Sequence, residues 1–160
     1  MVSILITTYN SVAHLKACLE SVLRQESSDR EIIIVDNASS DGTRAVLQEF
    51  ETRARVIYND TNRGFSGGQN QAISHARGDW MLSLNPDVLL SPGFLTKLVE
   101  AGESDTRIGT VCGKLLHWGP GGELTNMIDS TGIYFLRNLR HLDRGNGFPR
   151  SEERRVGKEC

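Results

Sequence analysis

The sequence predicts an α/β domain built on a mainly parallel sheet, and three observations carry that prediction. Strand-like and helix-like segments alternate from the first residues onward. Ile32 to Val35 is an unbroken apolar run, of the kind buried on both faces of a parallel sheet. Polar turns follow the strand-like segments, so the chemistry-bearing residues collect where strands end.

Taken in order, Val2 to Thr7 reads as the first strand. Ser11 is expected to cap a helix in which Leu15, Cys18, Leu19, Val22 and Leu23 share a face, opposite Lys16, Glu20 and Arg24. "EIIIVDNASSDGT" supplies the second strand, the chain leaves the core at Asp36, and Asp41-Gly42 reads as a turn into the next helix. That helix is expected from about Thr43 to Thr52 with Ala45, Val46, Leu47 and Phe50 inward. "RVIYN" makes a third strand, "DTNRGFSGG" a loop, and Gln69 to Ala76 a third helix that ends near Gly78. "DWMLSLN" is the fourth strand; Pro86 lacks an N–H and must end it, so Asp87 emerges beyond the sheet. Pro92 suits the first turn of a helix through Phe94, Leu95, Leu98 and Val99. "IGTVCGKLL" and "DSTGIYFLR" read as later strands, separated by the turn "WGPGGE".

Composition narrows the function classes. A chain of 160 residues suits one domain with a real core, and 38% hydrophobic with 24% charged residues argues against disorder. No apolar run approaches the roughly 20 residues of a spanning helix. Thr7, Thr8 and Asn10 interrupt the first strand too early for a signal peptide, so the expected location is cytoplasmic, at the cytoplasmic face of the membrane for a longer chain. Cys18, Cys112 and Cys160 show no Cys-x-x-Cys spacing, which argues against a disulfide framework or a zinc site. A net charge of -2 offers no basic field for nucleic acid. "RSEERRVGKEC", residues 150–160, has no apolar periodicity, and one reverse translation of it reads as a common short-read sequencing adapter. The expectation is a partial domain over residues 1–149 followed by a non-native tail.

Ligands of open parallel sheets bind outside the carboxyl ends of the strands. Here that edge gathers Thr7, Thr8, Tyr9 and Asn10; Asp36 and Asn37; Asn59 to Gly68; and Asn85 to Asp87. A carboxylate just past a buried strand can accept hydrogen bonds from a base imide N–H or from ribose hydroxyls, and Tyr9 offers a ring for stacking. A carboxylate on another strand end can hold a hard divalent cation, magnesium or manganese, that bridges diphosphate oxygens. Asn85, two positions before Asp87, can donate or accept a hydrogen bond but adds no charge, so Asp87 is the only carboxylate at this strand end. His14 and Cys18 share a helix face but lack further ligands for zinc.

"VSILITTYNS", "IIIVDNASSDGT", "NRGFSGGQNQAI" and "GDWMLSLNPDVLL", in this order, resemble the amino-terminal half of family 2 glycosyltransferases with the GT-A fold, above all the rhamnosyltransferase-like branch. The similarity runs from about Val2 to Arg144, and "VCGKLL" with "DSTGIYF" also fits that branch. The resemblance implies nucleoside contacts from Thr7 and Asp36, with Tyr9 and Asn10 shaping the pocket. Gly64, Gly68 and Asn70 match the loop and helix start beneath the sugar-diphosphate. Asp87 matches the last acid of the Asp-x-Asp metal motif. The implied reaction is inverting transfer of a sugar, rhamnose or a relative, from a UDP- or dTDP-linked donor to a hydroxyl of a polysaccharide or lipid-linked acceptor. It needs a general base that the resemblance places downstream of this chain, since neither Asp129 nor Asp143 matches its position. Alternative readings are a sugar-phosphate nucleotidyltransferase, whose glycine-rich basic signature is missing, and a non-catalytic module that binds nucleotide or glycan.

Overall fold

A computed structural model describes residues 1–26, 29–119, 123–138 and 140–150. The chain divides into two compact units, Met1–Val99 and Glu100–Cys160. In the first, β1 (Val2–Thr8), β2 (Arg30–Asp36), β3 (Arg55–Tyr58) and β4 (Trp80–Leu84) form one sheet in the order β3-β2-β1-β4. Every neighbouring pair is parallel, as the sequence predicts. Helices α1 (Leu15–Leu23), α2 (Thr43–Gln48) and α3 (Gly64–Ile73) connect the strands, and α4 (Phe94–Glu103) follows β4.

Alternate residues of the two central strands feed two apolar layers, because successive strand side chains point to opposite faces. Ile4, Ile6, Ile32 and Ile34 pack with Leu15, Cys18, Leu19 and Val22 of α1 and with Leu47 of α2. Leu5, Ile33 and Val35 pack with Ala72 of α3 on the other face. Each such aliphatic side chain withdrawn from water contributes about 1.5–3 kcal/mol, so these two strands anchor the unit. At the opposite edge from the strand ends, Ser3 Oγ donates to Glu31 Oε1 (2.6 Å) and accepts from Gly78 N (2.8 Å). A polar knot therefore fixes the entry to β1, β2 and β4.

Several local expectations need correction. Ser11 does not cap α1 with its side chain: its hydroxyl donates to Tyr9 O (3.2 Å), its carbonyl accepts from Leu15 N (3.0 Å), and the helix begins at Leu15. Helix α2 ends at Gln48, and tighter turns through Phe50 and Arg53 replace its expected last turn. Ala45 is exposed, while Leu47 and Phe50 are buried as expected. Half of the expected loop "DTNRGFSGG" is helix, since α3 starts at Gly64, where Asn62 Oδ1 accepts the Gly64 N–H (2.8 Å). Glycine has low helix propensity, and at Gly68 it is retained where the helix lies tight against Thr7 of β1. Gly78 does not stop α3, which ends at Ile73; a Cβ there would stand 2.6 Å from Ser3 N, so backbone proximity explains the residue.

In the second unit, β5 (Leu115–Trp118) pairs antiparallel with β6 (Leu124–Ser130), and β7 (Ile133–Phe135) with β8 (His141–Asp143). Of "IGTVCGKLL", only Leu115 and Leu116 lie in a strand. "DSTGIYFLR" is divided between two sheets at Gly132, whose φ of 128° breaks the strand. Gly119 N donates to Glu123 O (2.8 Å) at the turn "WGPGGE", whose residues 120–122 lie outside the described residues, as do residues 151–160 of the expected tail. Asp129 pairs with His117 at 3.5 Å. No helix of the described residues is long and apolar enough to cross a membrane.

Candidate functional site

The parallel sheet brings the ends of β1, β2, β3 and β4 to one edge of the first unit. Thr7 and Thr8 close β1 on opposite faces, and both hydroxyl oxygens are buried without a hydrogen-bond partner. Buried polar atoms are nearly always paired, so two orphans at a ligand-binding edge mark a place where chemistry is unfinished. Gly68 of α3 leaves room for Thr7: a Cβ on it would lie 2.9 Å from Thr7 Oγ1.

Asp36 ends β2 and is 0% exposed. Arg44 Nε donates to Asp36 Oδ2 (2.8 Å), and Ser39 N reaches the carboxylate at 3.3 Å and 3.4 Å. A buried carboxylate is costly unless it has a counter-charge, and the guanidinium supplies it. Asn37, also buried, donates from Nδ2 to Gly64 O (2.9 Å) and accepts at Oδ1 from Asn59 Nδ2 (2.9 Å). Asn59 Nδ2 also reaches Gln71 Oε1 at 2.9 Å, so one amide chain joins the ends of β2 and β3 to α3.

Two loops interlock above this edge. Asn10 (φ 50°) donates its N–H to Ser39 Oγ (2.9 Å) and accepts at Oδ1 from Ser40 N (2.9 Å). Ala38 is also left-handed at φ 64°, a conformation that costs a residue with a Cβ about 1 kcal/mol and persists where surroundings fix it. Asp41 acts as the expected turn: its Oδ1 accepts from Thr43 N (3.0 Å), and its Oδ2 from Val12 N (3.2 Å). Tyr9 lies 51% exposed beside them.

Beyond β4, Pro86 and Asp87 form a turn in which Val88 N donates to Asn85 O (3.3 Å). Asp87 is exposed, as the proline predicts. Asn10, Asn85 and Asp87 line one cleft of about 200 Å³ with Ser11, His14 and Pro86. Beneath it Cys18 Sγ donates to Asn85 O (3.6 Å). Burial, aided by the negative charge of Asp87, pushes this thiol up to about 12. Behind the turn, Ser21 Oγ accepts from Leu90 N (3.0 Å), and Gln25 Nε2 donates to Ser91 O (2.9 Å).

The expected residues thus form two neighbouring groups along the strand ends: Thr7, Asp36, Asn37, Gly64 and Gly68 within the sheet-to-α3 network, and Asn10, Asn85 and Asp87 around the cleft. Asn70 stands exposed within α3 instead of at its start. His14 and Arg44 belong to these groups without having been singled out as site residues from the sequence. Arg44 did carry a signal, since a cation in the first turn of a helix opposes the macrodipole and asks for a tertiary partner. For a divalent cation, the cleft offers one carboxylate, Asp87, and two amides, Asn10 and Asn85; among the described residues no three His, Cys, Asp or Glu converge. That donor set fits a magnesium-like ion that keeps waters and completes its shell with substrate phosphates.

The family profile described as Glycosyl transferase family 2 matches residues 3–150. Glycosyltransferase YfnE of Bacillus subtilis is 35% identical over 119 residues, covering 72% of this chain and 30% of that protein. A PGL/p-HBAD biosynthesis glycosyltransferase of Mycobacterium bovis is 33% identical over 149 residues, covering 88% of this chain and 57% of that one. The mannosyltransferase PcManGT of Pyrobaculum calidifontis, solved with GDP-Man and Mn2+, aligns with a TM-score of 0.61 at 25% identity over 66% of this chain and 33% of its own. The chain therefore spans between about a third and three fifths of the length of these relatives. The fold is GT-A: a mainly parallel central sheet flanked by helices.

Proposed function

The chain belongs to glycosyl transferase family 2, and on that premise we propose that its first unit binds the nucleoside diphosphate sugar of an inverting sugar transferase. The observation that carries the reading is the gathering of Asn10, Asn85 and Asp87 around one polar cleft at the carboxyl edge of a parallel sheet. The base lies toward Tyr9 and Asp36, the diphosphate toward Asn85 and Asp87. PcManGT, solved with GDP-Man and Mn2+, supports a nucleotide sugar and a divalent cation as its partners.

In this reading an acceptor hydroxyl attacks the anomeric carbon, the bond from that carbon to the diphosphate oxygen breaks, and the nucleoside diphosphate leaves with the bonding pair. The hydroxyl proton goes to a general base, for which no residue of this chain is assigned. A cation held by Asp87 supplies neutralising charge on the diphosphate when bound. Tyr9 stacks on the base, and Asp36 accepts from its N–H. The donor is a UDP- or dTDP-linked sugar, rhamnose or a relative, and the acceptor a polysaccharide or lipid-linked glycan. A cytoplasmic location accompanies this reading on sequence grounds.

Calorimetric titration of the chain with UDP, dTDP and GDP, each with and without Mn2+, tests the donor site. Saturable binding of at least one, tightened by the cation, is the expected result; no heat from any of them overturns the reading.

A further inference from the structure

We propose that Arg44 is a positioning residue for the donor base: it holds the Asp36 carboxylate so that Oδ1 is the oxygen presented to ligand. The inference rests on the donor-site reading above and adds a residue to it. Arg44 Nε donates to Asp36 Oδ2 (2.8 Å) and its Nη2 to Asn59 O (2.8 Å), while the guanidinium stacks over Tyr58 at 5.5 Å from the ring centroid. A planar fork fixed at two points and backed by a ring has one orientation, which a lysine cannot reproduce. The carboxylate is fixed with it.

The consequence lies in the uneven use of the two oxygens. Oδ2 is taken by the short charged bond from Arg44 and shares Ser39 N at 3.3 Å. Oδ1 has only the 3.4 Å approach of the same N–H, so it retains acceptor capacity. Thr8 is the register partner of Asp36, is 1% exposed, and its hydroxyl has no partner. A buried carboxylate oxygen with spare acceptor capacity and an unpaired hydroxyl thus lie at adjacent strand ends, next in sequence to the left-handed turns at Asn10 and Ala38. This is an acceptor site for an N–H that water does not reach, which is what a base imide group supplies.

Arg44 is 44% exposed, so it also retains N–H donors at the edge of the same site. A merely structural ion pair would change stability and leave the recognition of one ligand atom untouched. A positioning role changes the worth of the ligand's N–H.

The experiment measures the affinity of the chain for UDP and for N3-methyl-UDP, which lacks the imide N–H, in the native protein, Arg44→Gln and Arg44→Lys. Thermal melting and circular dichroism establish that each variant is folded. Native protein is expected to prefer UDP by about tenfold to a hundredfold, the worth of a hydrogen bond to a charged group. In Arg44→Lys, which keeps the charge but loses the fork, the preference falls at least threefold; in Arg44→Gln it approaches one. A folded variant of either kind with the native preference overturns the proposal while leaving the donor site intact. If the native protein binds neither UDP, dTDP nor GDP, the donor-site reading falls and this inference falls with it.

Discussion

Gly68 of α3 and Thr7 of β1 approach so closely that no side chain fits between them. A Cβ on Gly68 would stand 2.9 Å from Thr7 Oγ1 and 3.2 Å from Asn37 Nδ2. Replacing a helical glycine by alanine ordinarily gains up to about 1 kcal/mol. Here the new methyl meets a side chain fixed on a central strand, and overpacking of that kind costs about 1–3 kcal/mol. Gly68→Ala is therefore expected to lower stability on balance, seen as a lower urea midpoint with an unchanged slope. An equal or higher midpoint would show that α3 can slide off β1.

On the proposed donor-site reading, the cleft's single carboxylate predicts cation binding that depends on nucleotide. Manganese alone is expected to bind weakly, and to bind at least tenfold more tightly once UDP or GDP contributes phosphate oxygens. Asp87→Ala removes most of that enhancement while leaving the fold unchanged, because the side chain is exposed. Water-proton relaxation with manganese reads both numbers; equal affinity with and without nucleotide would count against a cation at Asp87.

Cys18 and Cys112 should differ sharply in reactivity. Cys18 is fully buried, and its thiol is pushed up from 9.0 to about 12, first by burial and then by the charge of Asp87. Only a thiolate reacts, so at pH 8 a disulfide reagent should label exposed Cys112 within minutes and spare Cys18 until denaturant is added. Peptide mapping assigns the label. The raised value also fixes a sign: the stability carried by the neutral thiol is complete below about pH 9 and is lost as pH climbs toward 12. Rapid labelling of Cys18 at neutral pH would mean that α1 opens from the β4 end.

Glu31 contributes at the other end of the pH scale. The Ser3 hydroxyl, then the backbone N–H and guanidinium of Arg77, hold its carboxyl below the usual value of 4.5. A depressed acid stabilises the fold above its unfolded value and loses that contribution as pH falls through its folded one. The native chain should therefore lose stability below about pH 4.5 more steeply than Glu31→Gln, the two denaturation curves converging in acid. Parallel curves would show that the knot at Ser3 does not depend on charge.

Much of this architecture was legible because periodicity and strand-end chemistry pointed the same way. The run at Ile32 to Val35, the proline after Asn85 and the turn at Asp41 each carry a local physical signal, and each occupies the place that the signal indicates. The α3 start was hidden because Gly64, Gly67 and Gly68 read as loop, whereas Gly64 takes a left-handed turn at φ 72° and Gly68 lies tight against Thr7 of the sheet. In the second unit the misreadings have another cause. Strands there are paired two by two and largely exposed, and all but β6 are short, so apolar patterning alone did not separate extended chain from ladder. Asp36 shows the same limit at the site itself, since no spacing rule announces that its partner lies eight positions on in a helix.

The crossed loops at Asn10 and Ala38 also constrain anyone who would re-engineer this protein. Each loop's unusual turn is held by atoms of the other, through Ser39 Oγ, Ser40 N and the Asn10 amide. Segments 8–14 and 36–43 are accordingly one exchangeable part. A chimera that transplants either loop alone from another member of the family inherits half of a clasp, whereas swapping both together carries the closure with it.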